Sequence, residues 1–437
     1  MARDSFNVRF DNASKKRVGA YFATWGIYGR NFHPADVPVE NLTHVYLAFG
    51  GICGDNPGAW EGGAALKASC AKSKYDDTTL SKAVRQPFEL ELDDHFAWLG
   101  KSYDGDRWDQ PVKGILGQVR HWKTRNPNVK VILSIGGWSY TRPFLLMSGN
   151  PQARTTFVNS VRNFLSAEGL RDLFDGIDID FEFPGGGGLD GDLDSHPVRQ
   201  RDGADFVALL ADLRAMLDKL PTTQKRYELT TAIGTGPEKL AKVDFKKVAQ
   251  IVDQINLMSY DFHGSWSEVG HNTNARLPQG DQSGLAVRDI VSTLVDRQGV
   301  APAKLSVGAA FYGRAFQTKW SNSPLSAVGQ NGTVPAGVKT VEDGILSYFD
   351  LWKKYVGPNG TGINGFVATY DDRYGASIVS NAAQGIWLSY ESPRSIADKG
   401  KILADYKLGG MFAWEIDDDN GLLLNAMHRA VGNQPKK

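Results

Sequence analysis

Eight short runs rich in apolar and β-branched residues recur along this chain, at 18–24, 44–49, 129–135, 176–183, 227–233, 254–258, 305–310 and 409–414. Helical periodicity separates several of them. It is clearest over 202–220, where Phe206, Leu209, Leu210, Leu213, Met216 and Leu217 return every three or four residues. Strands that alternate with helices pair in parallel, because a parallel neighbour needs a crossover to reach it. Eight of them point to a closed sheet, so the expected fold is α/β, a (β/α)8 TIM barrel. Such a barrel takes ~250 residues, and the chain has 437, which leaves room for additions. Two intervals break the rhythm. Residues 53–113 are expected to hold loop elaborations and a helix near 92–99. Residues 313–389 carry strand-like pieces at 365–370 and 385–389, and a helix near 348–355 that 344–346 lead into. The second interval reads as a small α+β domain inserted between barrel strands seven and eight. The expected domains are therefore 1–312, 313–389 and 390–437.

The fourth run is unlike the rest. Asp175-Gly-Ile-Asp178-Ile-Asp180-Phe-Glu182-Phe-Pro184 alternates acid and large apolar residue before four glycines. A strand sends successive side chains to opposite faces, so Asp178, Asp180 and Glu182 share one face and Ile177, Ile179, Phe181 and Phe183 the other. Acids two residues apart on a strand have Cα atoms about 6.6 Å apart. At that spacing they do not ionise independently, and one holds a proton near neutrality. Barrel active sites lie at the C-terminal ends of the strands, which puts Glu182 at the mouth and Asp180 and Asp178 deeper. A protonated carboxyl there is a candidate general acid. From these residues alone, a glycosidase with Asp180 or Asp178 as nucleophile is the simplest reading. The stretch lacks the carbonyl and glycine geometry of a calcium loop, and the nearest histidine is His196, so neither metal nor cofactor is expected. Glycines 185–188 have no Lys-Ser/Thr follow-up of a phosphate loop and read as a mobile loop at the cleft rim.

Lys plus Arg and Asp plus Glu number 49 each. That balance supplies no electrostatic reason for a nucleic-acid or membrane partner. No apolar stretch approaches the length of a membrane-spanning helix, and the first residues carry no apolar signal core. The chain is thus expected to follow a removed signal, to leave the cell by another route, or to stay inside. Cys53 and Cys70 would close a short loop worth ~3 kcal/mol if bonded, and their spacing alone leaves bonded and reduced forms open. Asn41-Leu-Thr43, Asn331-Gly-Thr333 and Asn359-Gly-Thr361 match glycosylation sequons, relevant in a eukaryotic secretory host. His263 and His271 lack metal spacing and read as loop or groove residues.

The acidic run resembles the signature of glycoside hydrolase family 18, the chitinase family. Ser134-Ile-Gly-Gly-Trp138, ending the third run, is similar to that family's second signature. Met258-Ser-Tyr260-Asp261 after the sixth is similar to its third, and Trp414 ending the eighth resembles its sugar-platform tryptophan. The likeness runs from residue 17 to 421, includes the insertion after Tyr312-Gly-Arg314, and is greatest to bacterial chitinases of the A type. Phe181 stands where the signature often has Trp, on the face away from the acids. The resemblance implies a Cys53–Cys70 disulfide, an extracellular setting, and chitin and chitooligosaccharides as partners. Protein partners are left unknown. It also implies substrate-assisted hydrolysis, in which Glu182 protonates the leaving oxygen and the substrate's acetamido carbonyl attacks. Asp180 then holds the acetamido N–H, Asp178 shares a proton with Asp180, and Tyr260 and Asp261 orient the acetamido group. Trp414 lies under the −1 sugar, with Trp25, Trp138 and Trp266 as flanking platforms. Phe49 and Tyr21 line the groove, Arg314 binds sugar hydroxyls, and Met258 and Asp175 are carried over with their motifs. A deep aromatic groove would favour processive action from a chain end. Two other members of the same fold are alternatives. One is an endo-β-N-acetylglucosaminidase acting on glycans, generally shorter and without the insertion. The other is a non-hydrolytic chitin-binding lectin, which usually lacks the glutamate.

Overall fold

In a computed structural model, residues 6–54, 61–72, 85–110, 112–189, 195, 197–221 and 226–436 are described. Residues 1–5, 55–60 and 73–84, which bear on the N-terminal reading and on part of the expected elaboration after Cys53, lie outside them. The strands are β1 (Arg17–Ala23), β2 (His44–Ile52), β3 (Leu90–Leu92), β4 (Lys130–Gly136), β5 (Gly176–Asp180), β6 (Glu228–Gly234) and β7 (Gln254–Met258). They continue with β8 (Leu305–Ala310), β9 (Tyr312–Gln317), β10 (Ile345–Ser347), β11 (Val367–Asp371), β12 (Ala376–Asn381), β13 (Ile386–Tyr390) and β14 (Gly410–Trp414).

One sheet runs β1-β14-β8-β7-β6-β5-β4-β2, and β1 also pairs with β2, so the order returns to its start. This is the closed parallel barrel that the eight runs predict, with each run on one barrel strand. β3 is added antiparallel to β2. A second, antiparallel sheet, β10-β9-β13-β12-β11, falls in the chain between β8 and β14. Two compact units are present. One comprises Met1–Ala20, Thr235–Pro237 and Leu257–Lys437, the other Tyr21–Gly234 and Glu238–Asn256. Among the described residues, no helix is long and apolar enough to cross a membrane.

Barrel strands are buried on both faces, which is why β5 reads buried at every position despite its aspartates. The register aligns Ser134 of β4, Asp178 of β5 and Thr230 of β6 in one layer. On the opposite face, Phe181 stacks on Phe144 at 5.4 Å and meets Phe206 edge-on at 6.0 Å. These rings belong to the helices Arg142–Ser148 and Asp202–Leu217.

Two expectations change. The acidic strand was expected to reach 183, but it stops at Asp180. On one side β4 ends at Gly136, paired with Asp180, and although β6 runs on to Gly234 on the other, the chain leaves the ladder there for the turn through 183–188. In place of a helix near 92–99 there is β3, then a single turn at Phe96–Gly100. The inserted sheet contains strands that the pattern did not single out. β12 is buried throughout and lacks the two-residue alternation that marks a half-exposed strand. Around it Val269, Phe316, Ala327, Ile378 and Trp387 form a small core of their own.

Candidate active site

Three hydroxyls surround Asp178. Tyr21 Oη and Ser134 Oγ each donate to Oδ2 at 2.8 Å, and Thr230 Oγ1 donates to Oδ1 at 2.6 Å. Burial pushes this carboxyl up from its ordinary range, and the three donors pull it back. Asp180, two residues on, is 3% exposed, and its Oδ1 finds no donor among the described residues. Its carboxyl is pushed well above the ordinary range, first by burial and then by the charges of Glu182 and Asp178. Glu182 is half-buried and lies past the end of the strand, where its N–H donates to Thr141 Oγ1 at 2.6 Å. The arrangement is graded. The deepest acid carries three hydrogen bonds, the middle one is held towards its protonated form, and the outermost stands on a turn.

Glycines let the neighbouring loop come this close. Gly136 has φ 114°, and a Cβ there would sit 2.2 Å from Asp180 O. Gly137 has φ 76°, and its Cβ would lie 2.5 Å from the Phe49 ring. The chain thereby crosses Asp180, whose carbonyl accepts from Gly137 N at 2.9 Å, and delivers an exposed Trp138. Trp138 meets Phe183 edge-on at 6.5 Å. Exposed Trp25 lies 6.1 Å from Phe49, which is 6.4 Å from Tyr21, so these rings form a continuous set leading to Asp178. The Cys53–Cys70 disulfide is formed.

The unit containing Leu257–Lys437 carries the remaining expected residues. Asp261 follows β7 in the left-handed region at φ 56°, with its N–H on Asn272 Oδ1 at 3.1 Å. Its Oδ1 accepts from Tyr312 Oη and Arg314 Nε, both at 2.6 Å. Burial drives the Tyr312 hydroxyl well above its ordinary value, and the Asp261 charge adds to that. Burial works against the Arg314 charge, but Asp261 more than restores it, so the guanidinium is held more firmly protonated. That guanidinium also covers the exposed Trp266 ring at 4.7 Å. Tyr260 packs edgewise on Tyr312 and Phe412, over Gly308, where a Cβ would reach 2.7 Å from its ring. Met258 O accepts from Thr235 Oγ1 at 3.0 Å, and Trp414 ends β14.

Asp175 is a correction. It precedes β5, at the opposite end of that strand from Glu182, and its Oδ2 takes Lys123 Nζ at 2.7 Å and Val131 N at 2.8 Å. It joins β4 to β5 and is not a substrate residue. His271 is buried against Tyr374 and Trp387 with Asp371 Oδ2 3.3 Å from Nε2, so it belongs to the core and not to a groove. Burial lowers its pKa despite that carboxylate. The 185–188 turn is tightly built. Gly185, Gly186 and Gly187 all have positive φ, and a Cβ on Gly188 would meet Glu182 O at 2.0 Å. Ser134, Thr230, Thr141, Tyr312 and Asn272 were not singled out as site residues. The signal for Thr230 in the sequence is a Thr-Thr pair inside the run 227–233.

Comparison with known proteins gives a consistent neighbourhood. The family model for Glycosyl hydrolases family 18 matches residues 17–419. Chitinase A of Pseudoalteromonas piscicida is 37% identical over 94% of this chain and 52% of its own length. The chitinase of Autographa californica nuclear polyhedrosis virus is 37% identical over 94% of this chain and 72% of its own. The chain thus spans about half the length of the first relative. The solved structure of Chitinase ChiA74 from Bacillus thuringiensis aligns with a TM-score of 0.81 at 27% identity, covering 97% of this chain and 71% of that one.

Proposed function

The chain belongs to glycoside hydrolase family 18, and on that premise we propose that it is a chitinase. It cuts β-1,4 bonds between N-acetylglucosamine units with retention of configuration, using the substrate's own acetamido group as nucleophile. The observation that carries this reading is the state of the two aspartates. An enzymic nucleophile must be ionised and must reach the anomeric carbon. Asp178 is 0% exposed and spends its oxygens on three hydroxyls. Asp180 is almost as buried and is held towards its protonated form. Neither fits the nucleophile of an ordinary retaining pair, so the attacking oxygen is best supplied by the substrate.

The steps then balance without an external reagent. Glu182 gives its proton to the glycosidic oxygen as the C1–O bond breaks, and the acetamido carbonyl oxygen bonds to C1 to form an oxazolinium ion. Asp180, whose Oδ1 has no protein donor among the described residues, accepts the acetamido N–H and steadies the positive charge. A proton shared with Asp178 follows that charge. Glu182 next takes a proton from water, whose oxygen opens the oxazolinium ring on the original face. Tyr260 and Asp261, which follow β7 as Glu182 follows β5, are assigned the orientation of the acetamido group. Arg314 is assigned sugar hydroxyls, Met258 and Trp414 the −1 sugar, and Trp25, Trp138 and Trp266 flanking sugars, with Tyr21 and Phe49 in the groove wall. Indole faces pack well on pyranose rings, and the number of exposed indoles supports processive threading of one chain. Extracellular action fits both an insoluble polymer and the Cys53–Cys70 disulfide, which persists in oxidising surroundings.

The test is a paired digestion with early-time NMR of product anomers. N-acetylated chitooligosaccharides should be cut to β-anomers, and fully deacetylated chitosan should not be cut, since it lacks the nucleophile. Efficient cleavage of the deacetylated polymer would return the nucleophile's role to a carboxylate such as Asp180, and α-products would mean inversion by direct attack of water.

A further inference from the structure

The turn after Glu182 is held by a buried ion pair that has no part in the scheme above. Asp202 opens the helix Asp202–Leu217, and Arg199 lies in the turn Pro197–Gln200 just before it. Asp202 Oδ2 accepts from Gly185 N at 2.9 Å and from Arg199 Nη1 at 3.1 Å, and that Nη1 lies within reach of Phe183 O at 3.3 Å. Their side chains are 2% and 6% exposed. Phe183 is gripped from the sides as well. Lys239 Nζ lies 4.0 Å from its ring centre, and a Cβ on Gly234 would fall 2.6 Å from the ring. Upstream, Thr141 holds the Glu182 N–H. The backbone carrying the acid is thus clamped on both sides of residue 182, on one side by a single hydroxyl and on the other by a charged pair.

A buried ion pair is a poor choice for stability alone, because well-packed apolar residues of similar volume serve as well or better. Here the pair sends its hydrogen bonds to residues 183 and 185 of the acid's own turn. We propose that Asp202 and Arg199 are positioning residues for the Glu182 carboxyl, fixing the 183–185 backbone so that the acid meets the leaving oxygen. This rests on Glu182 being the general acid, and the test separates the two claims.

A misplaced acid harms a substrate in proportion to how much its leaving group needs a proton. The experiment compares single-turnover cleavage of an N-acetylchitooligosaccharide, whose leaving group is a sugar hydroxyl, with the first-turnover burst of dinitrophenolate from a dinitrophenyl diacetylchitobioside, which leaves unaided. Glu182→Gln should lose about a hundredfold or more on the sugar and far less on the burst. Asp202→Asn should lose about tenfold or more on the sugar while the burst changes by less than about threefold. Arg199→Lys keeps the charge but not the reach of the guanidinium fork. It should behave in the same way, and it serves as the reading if Asp202→Asn does not fold. Equal losses on both substrates, or no loss in either variant while Glu182→Gln discriminates, overturns the positioning role. Failure of Glu182→Gln itself to discriminate overturns the acid assignment, and the clamp with it.

Discussion

Asp178 and Asp180 differ by two positions and by almost everything else that governs a carboxyl. Both are raised by burial; at Asp178 three hydroxyl donors offset part of that rise, whereas at Asp180 two neighbouring negative charges add to it. A third buried acid makes the same competition measurable. Asp419 accepts from Leu423 N at 3.2 Å and Leu424 N at 2.9 Å at the start of the helix Leu422–Ala430. Such donors favour the charged form. Burial outweighs them and holds its pKa at about 6, above the ordinary 3.8. The folded protein therefore binds this proton more tightly than the unfolded chain. Its contribution to stability is complete below pH 3.8 and is lost as pH rises through about 6. Asp419→Asn should flatten the stability curve across that window, read as urea midpoints at several pH values. A slope identical to that of the unsubstituted protein would mean that other groups set it.

At the scale of elements, the loop after β4 and the segment between the cysteines are the sensitive pieces. Gly137→Ala would force a side chain into the left-handed region and onto the Phe49 ring. The cost is of order 1–3 kcal/mol for the strain alone, seen as a lower Tm, and KM should rise because Trp138 is displaced. An unchanged KM would show that the loop's conformation does not set the platform. The disulfide spans 17 residues and anchors the helix Glu61–Lys72. Removing it by Cys53→Ser should cost ~3 kcal/mol in thermal or urea unfolding. A loss below about 1 kcal/mol would mean the unfolded segment is already constrained.

At the scale of the whole chain, a buried cation ties the exit of the inserted sheet back to the barrel. Lys399 Nζ donates to Gly308 O of β8 at 2.9 Å and pairs with Glu391, just after β13. Burial lowers its pKa, against the pull of Glu391. Lys399→Met would strand Glu391 as a buried unpaired carboxylate, at a cost of about 3–5 kcal/mol. Lys399→Met with Glu391→Leu should regain much of that. The check is a double-mutant cycle by chemical denaturation. If the double variant were as unstable as the sum of the single changes, the two charges would not be acting as a pair.

Much of this molecule was readable from residue order. The barrel follows from eight apolar runs and the helices between them, and the shared face of Asp178 and Asp180 follows from two-residue parity. Both are local properties, carried by the backbone period wherever the chain goes. What tertiary structure decided is non-local. Parity could not say that β5 stops at Asp180, because the end of a ladder depends on the neighbouring strands as well as on its own residues. It could not separate Asp175, an ion-pair partner of Lys123, from the acids it precedes. Nor could it bring Tyr21, Ser134 and Thr230 around one carboxylate, since three strands must first be placed in register. The sequence by itself determined which residue types line the barrel and at which strand ends they stand. Only the fold decided how each acid is hydrogen-bonded and how deeply it is buried, because hydrogen-bond partners and exclusion from water come from residues far away along the chain.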